Sequence, residues 1–158
     1  MNRVAVQFLD QGFHRLLFDA MPMPVFVVDA DVCLLECNTA AVRLFGPDKQ
    51  TIVKRRGGEV LHCVHAKEVP EGCGRAPVCP DCPVRKAVQV AARGRRVTRQ
   101  EARMELTDGG KTTKMDFQIS CSAFTYERFT FILLVLEGLN DCVVSKRTKA
   151  APRVRLIL

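Results

Sequence analysis

Residues 63–82 read Cys-Val-His-Ala-Lys-Glu-Val-Pro-Glu-Gly-Cys-Gly-Arg-Ala-Pro-Val-Cys-Pro-Asp-Cys and concentrate four thiols in one short stretch. The spacing is Cys63-x9-Cys73-x5-Cys79-x2-Cys82. Two intervening residues let Cys79 and Cys82 turn both sulfurs toward one centre. Gly72 and Gly74 flank Cys73 and permit the tight backbone of a ligand loop. Pro80 and Pro83 stiffen the last chelate, which lowers the entropy lost on ordering it. Four thiolates suit a tetrahedral zinc ion or an iron–sulfur cluster. Either complex carries a net charge of about −2, so charge does not choose between them. Lys67, Arg75, Arg85 and Lys86 lie in or beside the segment and can offset that charge. The spacing departs from the compact ferredoxin run, which argues against a dedicated electron carrier. Reduced thiols without metal, and reversible disulfides, are the competing readings. His62 and His65 flank Cys63; either can replace a cysteine as ligand or donate to a sulfur from behind the ligand shell.

Other chemistry leaves no trace. There is no Gly-x-Ser-x-Gly and no phosphate-cradling loop ending in Gly-Lys-Ser/Thr. Cys63 and His65 could in composition form a nucleophile and base, but near neighbours in sequence rarely achieve the geometry. The expectation is a protein that is not an enzyme.

The chain that carries these residues has 158 residues, enough for one compact domain with short extensions. Its composition is 47% hydrophobic but only 6% aromatic, without Trp, so the core must be aliphatic with Phe as its main large residue. The longest strictly apolar run, Phe131 to Leu136, is far short of the ~20 residues that cross a bilayer. The first ten residues lack the basic, apolar, then small-residue order of a secretory signal. A cytoplasmic protein with no membrane partner is expected, where thiols are kept reduced. Of the eight cysteines, Cys33 and Cys121 fall in apolar or alternating segments and read as small buried hydrophobes; Cys37 and Cys142 stay open. The net charge is +7, and five of those positive charges sit in residues 143–158 with no acid among them. Basicity is thus chiefly a property of the tail, which reads as a solvated extension or as a contact for an acidic partner or nucleic acid.

Phe8, Leu9, Phe13, Leu16, Leu17 and Met21 recur at helical spacing and predict an amphipathic helix over 5–20, ended by Met21-Pro-Met-Pro24. His14 falls on its surface. Val25 to Val28 and Val32 to Leu35 predict a hairpin turning at Asp29 to Asp31. Asn38 is a strong helix N-cap ahead of Ala40, Ala41, Val42, Leu44 and Phe45. Residues 47–58 read as loop and short turns. Pro83 opens a helix whose apolar face is Val84, Ala87, Val88 and Ala91, and Gly94 ends it. Three strands follow: 96–107, 111–123 after the hairpin signal Asp108-Gly109-Gly110, and 129–136, whose continuous apolar run predicts a central strand covered on both faces. The order implies an α+β domain with a five-stranded antiparallel sheet and helices on one face. The organisation is an N-terminal helix 1–22, a domain 23–138 holding a cysteine-rich insert at 59–83, and a basic tail 139–158.

Leu17-Phe-Asp-Ala-Met-Pro-Met-Pro-Val-Phe-Val-Val-Asp-Ala-Asp resembles the helix-to-first-strand entry of a PAS domain. Asn38 to Gly46 resembles the Asn-led helix that follows, and the Asp-Gly-Gly hairpin with Phe-Ile-Leu-Leu-Val-Leu-Glu137 resembles the last two strands. The likeness covers roughly residues 10–138. The run from Gly58 through Cys63, Cys73 and Cys79-x2-Cys82 resembles a cysteine-bearing subset of bacterial PAS domains, found in sensor kinases and related signalling proteins. Where multidomain sensors often end in Asp-x-Thr, Leu136-Glu-Gly-Leu-Asn-Asp141 stands here. Haem-binding members use an axial side chain, commonly His, on the helix after the loop, yet residues 83–93 hold neither His nor Met. The Asn-Cys-Arg-Phe-Leu-Gln motif of flavin photoreceptors is absent too, so neither cofactor is expected.

The resemblance implies a stand-alone sensory module acting through a protein partner such as a sensor kinase or regulator, or as a homodimer. With an iron–sulfur centre the signal would be redox state or oxygen; with zinc the site would be a structural staple in an interaction module. A small redox carrier is the remaining alternative. An apolar ligand inside the fold stays open beside a core simply filled by its own side chains.

Overall fold

The computed structural model describes residues 11–46 and 48–138. Residues 5–10 of the expected first helix, Cys142 and the basic tail lie outside the described residues.

The first helix, α1 (Gln11–Ala20), stops where Pro22 and Pro24 forbid continuation. Its apolar side chains are only partly covered: Phe13 and Phe18 are half-buried, while Leu16 is 70% exposed. His14 is exposed, as expected. Strand β1 (Val25–Val28) pairs antiparallel with β2 (Leu34–Cys37). The second strand begins two residues later than the apolar pattern suggests. The Asp29 carboxylate accepts from the amides of Asp31 and Cys33, each at 2.9 Å, and Val32 adopts φ 61°, so the turn reaches Cys33. Cys33 is consequently half-buried instead of a core residue, whereas Cys37 and Cys121 are buried.

Asn38 caps α2 (Thr39–Phe45) and ties three segments together. Its Oδ1 accepts from the amides of Ala41 and Val25, both at 3.0 Å, and its Nδ2 donates to the carbonyls of Met21 and Met23. The side chain is fully buried and its polar atoms are engaged, so one residue fixes the end of the α1–β1 linker, the first strand and the second helix.

After a 3-10 turn at Lys49–Thr51 and the four-residue helix α3 (Gly57–Val60), the cysteine segment passes through further 3-10 turns at Val64–Lys67 and Cys79–Asp81. Helix α4 (Pro83–Ala92) then buries Val84, Ala87, Val88 and Ala91, and Gly94 at φ 83° ends it. Strands β3 (Val97–Asp108), β4 (Lys111–Tyr126) and β5 (Phe129–Glu137) complete one antiparallel sheet of order β2-β1-β5-β4-β3. Helix α4 packs across β3, β4 and β5. Beneath it Ile119, Ile132, Leu134 and Leu136 are almost completely buried, each contributing about 2 kcal/mol of burial. β5 is central, but among the described residues only one of its faces is closed. Leu133 and Val135, on the other face, are half-buried, so the described residues do not cover both sides of the strand as the continuous apolar run suggests. The architecture is α+β with the expected five-stranded sheet.

Candidate functional site

The cysteine insert docks at the sheet end formed by the β3–β4 turn. The Thr107 amide donates to the His62 carbonyl at 2.7 Å, and Cys63 forms an antiparallel bridge with Leu106. This anchor requires a sharp turn, and His62 supplies it at φ 57°. The imidazole of His62 is exposed and does not line the cavity described next.

A cavity of about 340 Å³ lies between the insert, the N-terminus of α4 and the β3–β4 strands. Cys63, Cys73, Cys79 and Cys82 all line it, together with His65. They reach it from separate backbone pieces. Cys63 precedes one 3-10 turn, Cys79 opens another, and Cys82 is the N-cap of α4. Cys73 sits between Gly72 and Gly74, at φ 80° and 87°, a left-handed pair that a residue with a Cβ would resist. Gly58 is equally constrained: a Cβ there would lie 2.7 Å from Cys73 Sγ and 3.3 Å from Cys63 Cβ. The bare backbone instead lets the Gly58 N–H donate to Cys73 Sγ at 3.2 Å. Gly58 thus brings Cys63 and Cys73 against one small residue, a role that the sequence reading did not give it.

Burial pushes the Cys73 thiol up to about 11, the other three cysteines adding to it and the Gly58 amide opposing. Burial also pushes Cys63 up, with Cys82 and Cys79 adding and the amides of His65 and Ala66 opposing. The cysteines are therefore within electrostatic reach of one another. None of the described cysteines forms a disulfide. Among the described residues no three His, Cys, Asp or Glu side chains stand close enough to form a ready ligand set. His65 Nδ1 is 2.6 Å from Glu68 Oε1, which orients the ring.

One wall of the cavity is ionic. Asp31, in the β1–β2 turn, receives Arg56 at 2.8 Å, Arg85 at 3.1 Å and Arg75 at 3.2 Å. Three guanidinium groups against one carboxylate leave a local positive excess, and Arg56 and Arg85 are only 25% and 21% exposed. Arg56 also donates to the Cys73 carbonyl at 3.0 Å, while Arg85 lies against Gly74. Of the cations expected near the thiols, Arg75 and Arg85 join this cluster, Lys86 pairs with Asp81 at 2.7 Å, and Lys67 is exposed. The sequence reading gave Arg56 and Asp31 no role at this site, Asp31 being placed only in the hairpin turn. Arg56 lies in a stretch read as loop, and Asp31 meets its partners across 25 to 54 residues.

Comparison with known proteins identifies the frame. A family model described as PAS domain matches residues 12–77, which include all of α1 but Gln11, together with β1, β2, α2, α3, Cys63 and Cys73. Among solved structures, the PAS domain of nitrogen regulation protein NR(II) from Vibrio parahaemolyticus aligns with a TM-score of 0.55 at 14% identity, over 79% of this chain and 96% of that one. The PAS domain of an HTR-like protein from Haloarcula marismortui aligns with a TM-score of 0.50 at 17% identity, over 80% and 94%. The DhaR(N)–DhaL complex of E. coli aligns at 0.50 and 16%, over 85% of this chain but 37% of that one. No curated protein is similar enough to count as a relative. No described helix is long and apolar enough to cross a membrane. The chain is thus similar to PAS domains in sequence over residues 12–77, and its fold over about four-fifths of its length is that of the PAS structures it aligns with.

Proposed function

We propose that this chain is a PAS domain serving as a non-catalytic sensory module, in which Cys63, Cys73, Cys79 and Cys82 hold a metal centre, zinc or iron–sulfur, whose state is passed to a protein partner. PAS domains are typical of sensory signal transduction, which supplies the general role. The observation that carries the specific reading is the convergence of four thiols from separate turns on one cavity. The donor set fits either centre in type and number. The surplus of guanidinium around Asp31 fits a group of net negative charge, and Gly58 leaves room where a side chain would press on Cys73. The thiols draw closer on binding, since no closed ligand set stands ready among the described residues. A metal there would cross-link the insert to the N-terminus of α4, so its loss or oxidation would loosen a helix that packs across three strands.

Counting reactive thiols tests this. Protein purified without oxygen should show four fewer reactive cysteines than the same protein after chelator treatment. Equal counts before and after chelation would remove the metal, and a matching gain on treatment with reductant would put disulfides in its place.

A further inference from the structure

The end of the sheet opposite the cysteines is built differently. β3 begins at Val97, paired with Cys121, so among the described residues Ser122 to Tyr126 of β4 pair with β5 alone. β1 likewise reaches no further than Ile132 on β5. A two-stranded ribbon therefore projects past the sheet by about 17 Å, five residues at strand rise. Its aromatic side chains are not hidden: Tyr126 is 62% and Phe129 61% exposed, with Phe124 also exposed and in tilted contact with Phe131 at 5.7 Å between centroids. Projecting edges in soluble domains are usually short and blunted by charge, not decorated with aromatics.

The loop that leads from α4 into Val97 lies at this same end, and it reads Arg93-Gly-Arg-Arg96. These arginines are exposed and form no ion pair with any described residue, and Arg128 at the ribbon tip is in the same position. Arg93 has a local purpose, complementing the carbonyl end of α4. Arg95, Arg96 and Arg128 have no such local purpose among the described residues, and Glu127 is the acid next to Arg128 in the chain.

We propose that the β4 edge at Ser122–Tyr126 is a docking strip for an extended acidic peptide segment of a partner protein, which adds to the sheet as a strand. The unpaired main chain would bond the incoming backbone, the aromatics would take its apolar side chains, and the arginines its alternate carboxylates. The free backbone edge favours a peptide over nucleic acid or an anionic lipid surface, neither of which can extend a β-ladder. The inference does not depend on what the cysteines hold.

The test uses the full chain and a fluorescent ten-residue peptide alternating Asp and Val. Its comparators are the same peptide with Lys for Asp, an oligothymidylate, and phosphatidylglycerol vesicles. The acidic peptide should bind saturably and slow amide exchange at Ser122–Tyr126. The double variant R95E/R96E should weaken it at least about tenfold, two charge pairs converted to repulsion. Tyr126→Ser should also weaken it, and circular dichroism should show both variants folded. Equal binding of the lysine peptide, preference for the oligonucleotide or vesicles, binding without protection of Ser122–Tyr126, or no binding at all would each overturn the proposal.

Discussion

The sheet with its α4 cover and the cysteine insert are held by different forces. The sheet buries contiguous aliphatic side chains under one helix, and Asn38 seals its entry with four hydrogen bonds. Between residues 62 and 82 only Ala76 and Cys79 are fully buried, and short 3-10 turns replace longer elements. What fixes the insert is polar: the Thr107–His62 bond, the Gly58 contact to Cys73 and the arginines on Asp31. A frame made by burial is stable on its own. An insert made of turns and ion pairs around thiols gains most from a ligand that crosses it.

The largest effect should come from the frame. Leu134→Ala, in the central strand, removes a side chain that is 2% exposed and should cost about 3 kcal/mol in urea unfolding. A loss below about 1 kcal/mol would mean that the core collapses to fill the space. Asn38→Ala should cost about 2 kcal/mol, since it strands the buried amides of Val25 and Ala41. Asn38→Asp should recover part of that, because it keeps the acceptor and loses the donor to Met21 and Met23.

Asp31→Asn reverses the comparison. The carboxylate is partly solvated, so global stability should fall by no more than about 1 kcal/mol. Cleavage by a protease within residues 62–82 should nevertheless accelerate, as three arginines lose their common partner. Equal protection in variant and parent would show that the arginine cluster does not hold the insert.

The smallest effect concerns acid. Burial tends to raise the Asp19 and Glu36 carboxyls, but it is outweighed. Bonds from Arg15 and the Thr39 amide hold Asp19 low, and Lys49, Arg15 and the Cys37 amide hold Glu36 low. Their contribution is complete above the unfolded carboxylate value, about 4, and disappears as pH falls below it through the folded values. The melting temperature should therefore decline as pH drops below about 4, and Arg15→Ala should flatten that decline. An unchanged slope would show that these pairs do not secure α1.

Much of the frame was legible because its signals are local. Asn38 before an apolar helix, Pro83 at a helix start and Asp-Gly-Gly between two alternating runs each report on their own few residues. The four cysteines were legible as a group for the same reason, being gathered in twenty residues. What was hidden is non-local or conformational. The Asp29 turn delays β2 and lifts Cys33 out of the core through a side-chain bond that the apolar pattern of Val32 to Leu35 does not register. Asp31 finds Arg85 only once α4 is packed. The arginines of residues 93–96 merged into an overall charge that the tail dominated, and only the short pairing of β3 shows them beside a free ribbon edge.

The central claim is that the insert is completed by metal held on Cys63, Cys73, Cys79 and Cys82. Elemental analysis with visible absorption spectra, on protein purified without oxygen, addresses it most directly, with each of the four cysteines changed singly to serine. The account predicts stoichiometric zinc, or iron with sulfide and a brown colour, lost or strongly reduced in every one of the four variants. A colourless, metal-free parent whose insert resists proteolysis as well as the frame does would contradict it.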